Sequence, residues 1–186
     1  MRLRIAHTTS YRYEPPATGV IQILRMTPGS HDGQYVAEWQ IDVSTDSRLD
    51  VHQDAFGNIT HVLTHGAIAD LTITVEGLIE THDTGGVLRG TDERFPARYV
   101  AGYFHRADGV VRQEAGHAWA EAHVPDLGWV AFDAANGICA TDAHIRVAIG
   151  LDYLGAAPVR GTRYGGGAES LAVTVVVDQA QRQMQN

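Results

Sequence analysis

The stretch "GHAWAEAHVPDLGWVAFDAANG" (Gly116–Gly137) decides the reading of this chain. His117, Trp119 and Glu121 fall on alternate positions, "PDLG" supplies turn chemistry after Val124, and "WVAFDA" runs back. A helix over "EAGHAWAEAH" is disfavoured by its glycine and by that turn, so the pattern predicts a β-hairpin. One strand carries His117 and the other Asp133. A turn centred on Pro125 sets the two directly opposite, whereas one centred on Pro125–Gly128 moves them three positions out of register. Where they meet, Asp133 fixes the imidazole tautomer and leaves the other ring nitrogen as a general base. Such a base needs a nucleophile. The chain has one cysteine, Cys139, six residues past Asp133 in "NGICATD". Neither a helix N-terminus nor a basic neighbour is there to activate its thiol, so it reads as a small, partly buried residue.

Outward from the hairpin, strand signals dominate. "RLRIAHTTSYRY" alternates up to a break at Pro15-Pro16, and "VIQILRMTP", "QYVAEWQIDVST" and "DLTITVEGLIET" continue the pattern. Tyr35, Ala37, Trp39, Ile41 and Val43 are expected on one strand face. "FGN" (56–58) predicts a hairpin tip between "LDVHQDA" and "ITHVLTH". The polar, glycine-rich "THDTGGVLRGTDER" reads as a linker, and "ARYVAGYFH", "HAWAEAHV" and "WVAFDA" form a second β region. A last strand, "SLAVTVVV", precedes a frayed polar tail. The expected fold is mainly β: an N-terminal antiparallel β-sandwich over residues 1–82, a junction over 83–94, and a second antiparallel sheet within 95–186. Trp119 and Trp129 are expected to pack in the core.

Composition excludes several functions. Lys and Arg number 14 against 22 Asp and Glu, a net charge of −8 with no basic run, so no nucleic-acid partner is expected. The longest apolar run, in "LAVTVVV", is far below the ~20 residues of a membrane span. With no export signal and one cysteine, a soluble, cytoplasmic protein is expected, and the sequon at Asn58 carries little weight. No metal or cofactor is expected. His61 and His65 have helical ligand spacing, but on a strand they stand ~13 Å apart. A site from His105, His117 and His144 has no helical H-x-x-x-H and no cysteine pair behind it. The glycine-rich "GTRYGGG" does not lead a strand into a helix, so it is no phosphate loop.

The hairpin, with "PARYVAGYFH" before it and "HIRVAIGLDY…APVRG" after it, resembles the C-terminal part of bacterial transglutaminase-like proteins, relatives of the papain-type cysteine hydrolases. "MRLRIAHTTSYRYEPP", "DAFGNITHVLTH" and "LTITVEGLIET" are similar to the β-sandwich that precedes the core in that family. The resemblance implies a Cys-His-Asp triad acting on a peptide or protein amide. It places the histidine at His117, in its H-x-W setting, and the aspartate at Asp133, in "DAAN". Family members carry the nucleophile at the start of a helix within a helical subdomain between the sandwich and "PARYV". Here "GGVLRG" passes through "TDERF" to "PARYV" in a few residues, as though by internal deletion. The expectation is therefore a dyad without its nucleophile, in an inactive binding or assembly module. The alternative is a cysteine-type amide hydrolase or acyltransferase using Cys139 or a cysteine from another chain. A lost helical layer would bare a sheet face, so homo-oligomerisation is expected.

Overall fold

A computed structural model of the chain describes residues 1–89 and 96–180. Residues 90–94 of the expected junction and 181–186 of the expected tail lie outside the described residues. The elements in chain order are β1 (Arg2–Thr27), β2 (Gln34–Val43), β3 (Leu49–Gln53), β4 (Ile59–His65), β5 (Ile68–Thr81), β6 (Val87–Leu88) and β7 (Ala97–Phe104). They continue with β8 (Arg112–Gln113), β9 (His117–Val124), β10 (Gly128–Asp133), β11 (Ile138–Cys139), β12 (His144–Gly150), α1 (Tyr153–Ala156), β13 (Val159–Gly165) and β14 (Ala168–Gln179). Every pairing is antiparallel, and α1 is the one helix among the described residues. No described helix is long and apolar enough to cross a membrane.

The first sheet is organised by β1. Its alternation buries Leu3, Ile5, His7, Thr9, Tyr11 and Tyr13 on one face. Up to Arg12 the strand lies between β5 and β14, and beyond Ala17 it lies between β4 and β13. The change of partners falls at Pro15-Pro16, where two residues have no N–H to give a ladder. The sheet thereby folds over itself. Tyr11, Tyr13, Leu71 and Ile73 from one half meet Val20, Leu24, Met26 and Leu63 from the other in a common core. This is the expected sandwich, closed by one continuous strand. A bulge between Val36 and Glu38 reverses the parity of β2, so the expected single face is corrected. Trp39, Ile41 and Val43 pack against the core, while Tyr35 and Ala37 are exposed.

Sheet membership cuts across the sequence order, because β13 and β14 return to pair with β1. Residues 159–179 thus complete the first sheet rather than the second. The second sheet has the order β11-β10-β9-β7-β12, with β6 on β10. Its β7 and β12 end docks on the first sheet through Tyr103, Ile145 and Val147 against Leu3, Ile5, Ile79, Val175 and Val177.

Two side-chain amides fasten this junction. Gln34 donates to the Arg146 carbonyl (2.9 Å) and accepts from the Arg146 N–H (2.9 Å). Asn58, in the "FGN" turn, donates to the Ile149 carbonyl (2.7 Å) and accepts from the Ile149 N–H (2.8 Å). Each amide serves the outer edge of β12 as a neighbouring strand would.

Asn58→Ala leaves a buried N–H and carbonyl of Ile149 unpaired and is expected to lower stability by about 2–4 kcal/mol, read from urea unfolding. A second effect is pH-dependent. His7 lies between the Tyr103 hydroxyl (2.9 Å) and the Thr9 hydroxyl (3.0 Å), and burial pushes its pKa down to about 4. The unfolded chain binds this proton more readily, so the stability from neutral His7 is complete above pH 6.5. It is lost as pH falls through 6.5 toward 4, by about 3 kcal/mol. Urea unfolding at pH 7 and 4.5 checks this; equal stabilities would contradict a buried neutral His7.

Candidate functional site

The β9–β10 ladder runs from Gly128 opposite Val124 to Phe132 opposite Ala120. The turn closes with Leu127 N–H donating to the Val124 carbonyl (3.1 Å), and Asp126 takes a positive φ of 66°, which a short polar residue tolerates. This register falls between the two that the sequence allows. Continued one step, it sets Asp133 opposite Trp119, with His117 diagonal to Asp133 on the same face. The diagonal closes to a 2.7 Å hydrogen bond from His117 Nε2 to Asp133 Oδ2.

Asp133 Oδ2 has two further partners. Asn136 Nδ2 donates at 2.6 Å and His144 Nε2 at 3.0 Å, while Oδ1 accepts from the backbone N–H groups of Ala135 and Asn136. Burial works against ionisation of Asp133. The hydrogen bonds from Asn136, His144 and His117 outweigh it and hold the carboxyl far below the usual carboxylate range. His144 is buried at the start of β12, and desolvation lowers its pKa despite the nearby carboxylate. Its Nδ1 accepts the Thr141 N–H (3.0 Å), so the proton of the neutral ring sits on Nε2 and points at Asp133. Sequence reasoning did not identify His144 as a partner of Asp133. The ten residues between them carry no spacing signal, and the contact depends on β12 lying across β7 from β9.

Aromatic rings hold the cluster. Phe104 lies 5.1 Å from His117 and 4.6 Å from His144, and Trp119 meets His144 edge-on at 5.3 Å. Trp119 and Trp129 are both buried, as the sequence predicts. Gly102, opposite His117 on β7, must be glycine, since a Cβ there would stand 2.0 Å from the Ile145 carbonyl oxygen and 2.8 Å from the Trp119 ring. Of the three polar side chains only His117 reaches solvent, at 18% exposure. Its Nε2 is committed to Asp133, which leaves Nδ1 as the basic atom. Beside it, a cavity of about 210 Å³ between the sheets is lined by Tyr11, Tyr99, Ala101, Ala118, Tyr153 and Leu171 among others.

The donor atoms of His117, Asp133 and His144 lie within 4.8 Å of one another, a spacing that draws in the ligand question. The set does not suit a cation as arranged. The Thr141 N–H occupies Nδ1 of His144 and places a hydrogen on the Nε2 that would have to coordinate. His105 is not part of the cluster, and His61 and His65 lie on β4 in the other sheet. Cys139 is exposed on β11 opposite Phe132. Strand parity therefore turns it to the sheet face away from Asp133 and His117.

Two sequence profiles match this chain. The bacterial transglutaminase-like N-terminal region covers residues 3–80, and the transglutaminase-like superfamily core covers residues 93–134, which contains His117 and Asp133. Both matched families are transglutaminase-like, and together the two matches take in most of the chain. An uncharacterised protein of Mycobacterium leprae is 38% identical to this chain over 86 residues, covering 44% of this chain and 30% of the relative. The chain thus spans under a third of that curated relative's length. A crystal structure from Cytophaga hutchinsonii, described as a candidate cysteine protease, superposes with a TM-score of 0.73. The superposition covers 100% of this chain and 92% of the other at 12% identity, a likeness of fold.

Asp133→Ala removes the acceptor shared by two histidines and an asparagine. It is expected to cost about 3–5 kcal/mol in urea unfolding, as for breaking a buried charged hydrogen-bond set. A loss below about 1 kcal/mol, the scale of an exposed contact, would show that these bonds do not form.

Proposed function

We propose that this chain is a transglutaminase-like protein whose histidine and aspartate stand without a nucleophile of their own, and that it acts as a binding or assembly module and not as an amidase. One observation carries the reading. The sole cysteine, Cys139, is paired with Phe132 on the sheet face away from His117, and among the described residues no thiol or hydroxyl hydrogen-bonds to His117 Nδ1. A general base with nothing to deprotonate does not begin acyl transfer. The helix on which the family resemblance would place the nucleophile has no counterpart among the described residues.

The outer part of the second sheet supports an assembly role. Ala118, Ala120 and Phe132 share the face of β9 and β10 opposite His117, and Ala120 and the 43%-exposed Phe132 are open to solvent. A second copy of the chain or a protein segment laid over that face would cover it. The amide-containing ligand that the family resemblance suggests would enter along the cavity beside His117.

Timed alkylation with iodoacetamide across pH tests the inactive reading. Cys139 is expected to label at the rate of an ordinary free thiol, unchanged in His117→Ala; fast labelling abolished by that substitution would overturn it. Sedimentation is expected to give a dimer or larger species at micromolar concentration, and a stable monomer there would count against the assembly role.

A further inference from the structure

Beneath the cluster, on the same face of the second sheet, three buried polar atoms have no hydrogen-bond partner among the described residues: Trp119 Nε1, Glu121 Oε1 and His31 Nε2. All three residues line one cavity of about 40 Å³, together with Arg146, Thr141 and His144. Glu121 is fully buried and Trp119 is 6% exposed, so bulk water does not reach these atoms. Their hydrogen-bonding roles are fixed. Trp119 can only donate. Glu121 Oε2 accepts from the guanidinium groups of Arg98 (2.6 Å) and Arg146 (3.3 Å), and the Oε1 of this ion-paired side chain can only accept. His31 Nδ1 donates to the Asp32 carbonyl (2.6 Å). Burial, followed by the charge of Arg146, lowers the pKa of His31 to about 4, so Nε2 is a bare acceptor at neutral pH.

The cavity therefore presents two acceptors and one donor. A cation is opposed by the Trp119 N–H and by Arg146, and an anion by Glu121. We propose that this cavity is a built binding site for a resident water molecule, which donates to Glu121 Oε1 and His31 Nε2 and accepts from Trp119 Nε1–H. One water needs roughly 10–15 Å³ by this measure, so the space suffices. The water holds the Trp119 indole, and hence the ring edge against His144, from below. It links the Arg98–Glu121–Arg146 charges to the wall of the histidine–aspartate cluster. The inference is independent of whether the chain has a nucleophile.

Water-to-protein cross-relaxation at the Trp119 indole N–H, identified by its disappearance in Trp119→Phe, tests it. The wild type is expected to show a long-lived water contact at that proton, and His31→Leu and Glu121→Gln are expected to abolish it. Absence of the contact in the wild type overturns the proposal even if the variants fail to fold. Its persistence in both folded variants overturns it equally.

Discussion

The second sheet has an edge that would be intolerable without its two amides. β12 pairs with β7 on one side only, and its other edge faces the first sheet, where water cannot serve every backbone group. In a regular strand, residues 146 and 149 would direct their N–H and carbonyl groups to opposite edges. A bulge between Arg146 and Ala148 inserts one residue and turns both peptides outward, where Gln34 and Asn58 meet them. A backbone irregularity and two amides from separate turns of the first sheet thus form one device. It fixes where β12 lies against the first sheet, and His144 and Arg146 are carried with it.

The two faces of the second sheet divide its chemistry by parity. One face carries His117, Trp119 and Glu121 on β9, Arg98 and Phe104 on β7, Trp129 and Asp133 on β10, and His144 and Arg146 on β12. The other carries Ala118, Ala120 and Ala122 on β9, then Tyr99, Ala101 and Tyr103 on β7. Charge is affordable on the first face because it is paired. Arg98 lies 3.9 Å over the Trp129 ring and donates to Glu121, and Arg146 adds a second cation to the same carboxylate. On that second face Tyr103 of β7 packs against the first sheet, while the small side chains of Ala101 and Ala118 leave the cavity beside it.

Much of this was legible in the sequence, and the gaps share a cause. Alternation and turn residues identify the β9–β10 hairpin and the "FGN" tip because both are local, and the hairpin permits His117 to meet Asp133 without fixing the register. Two local exceptions escaped, since nothing in the apolar pattern marks the bulge at Val36–Glu38 or the diagonal register of the dyad. The larger omissions are non-local. That β13 and β14 rejoin β1, and that His144 reaches Asp133, depends on strands far apart in sequence choosing each other as neighbours. Asn58 looked like a turn residue and is one, but its side chain also spans to Ile149, 91 positions away.

The persistence of the dyad has a physical explanation that does not require catalysis. Asp133 receives five hydrogen bonds: two from the backbone of its own turn, one from the Asn136 side chain, and one from each histidine. The first three shape the segment that leads from β10 toward β11. The bond from His144 joins β10 to β12 across the sheet, and that from His117 ties the start of β9 to the end of β10. Replacing Asp133 would strand donors in a site where rings of Phe104 and Trp119 exclude water. The contacts that would orient an imidazole for proton transfer are thus also contacts that hold three strands together. A chain without a thiol in reach of His117 would keep them for stability alone, so their presence attests the fold and leaves activity to be decided by the nucleophile.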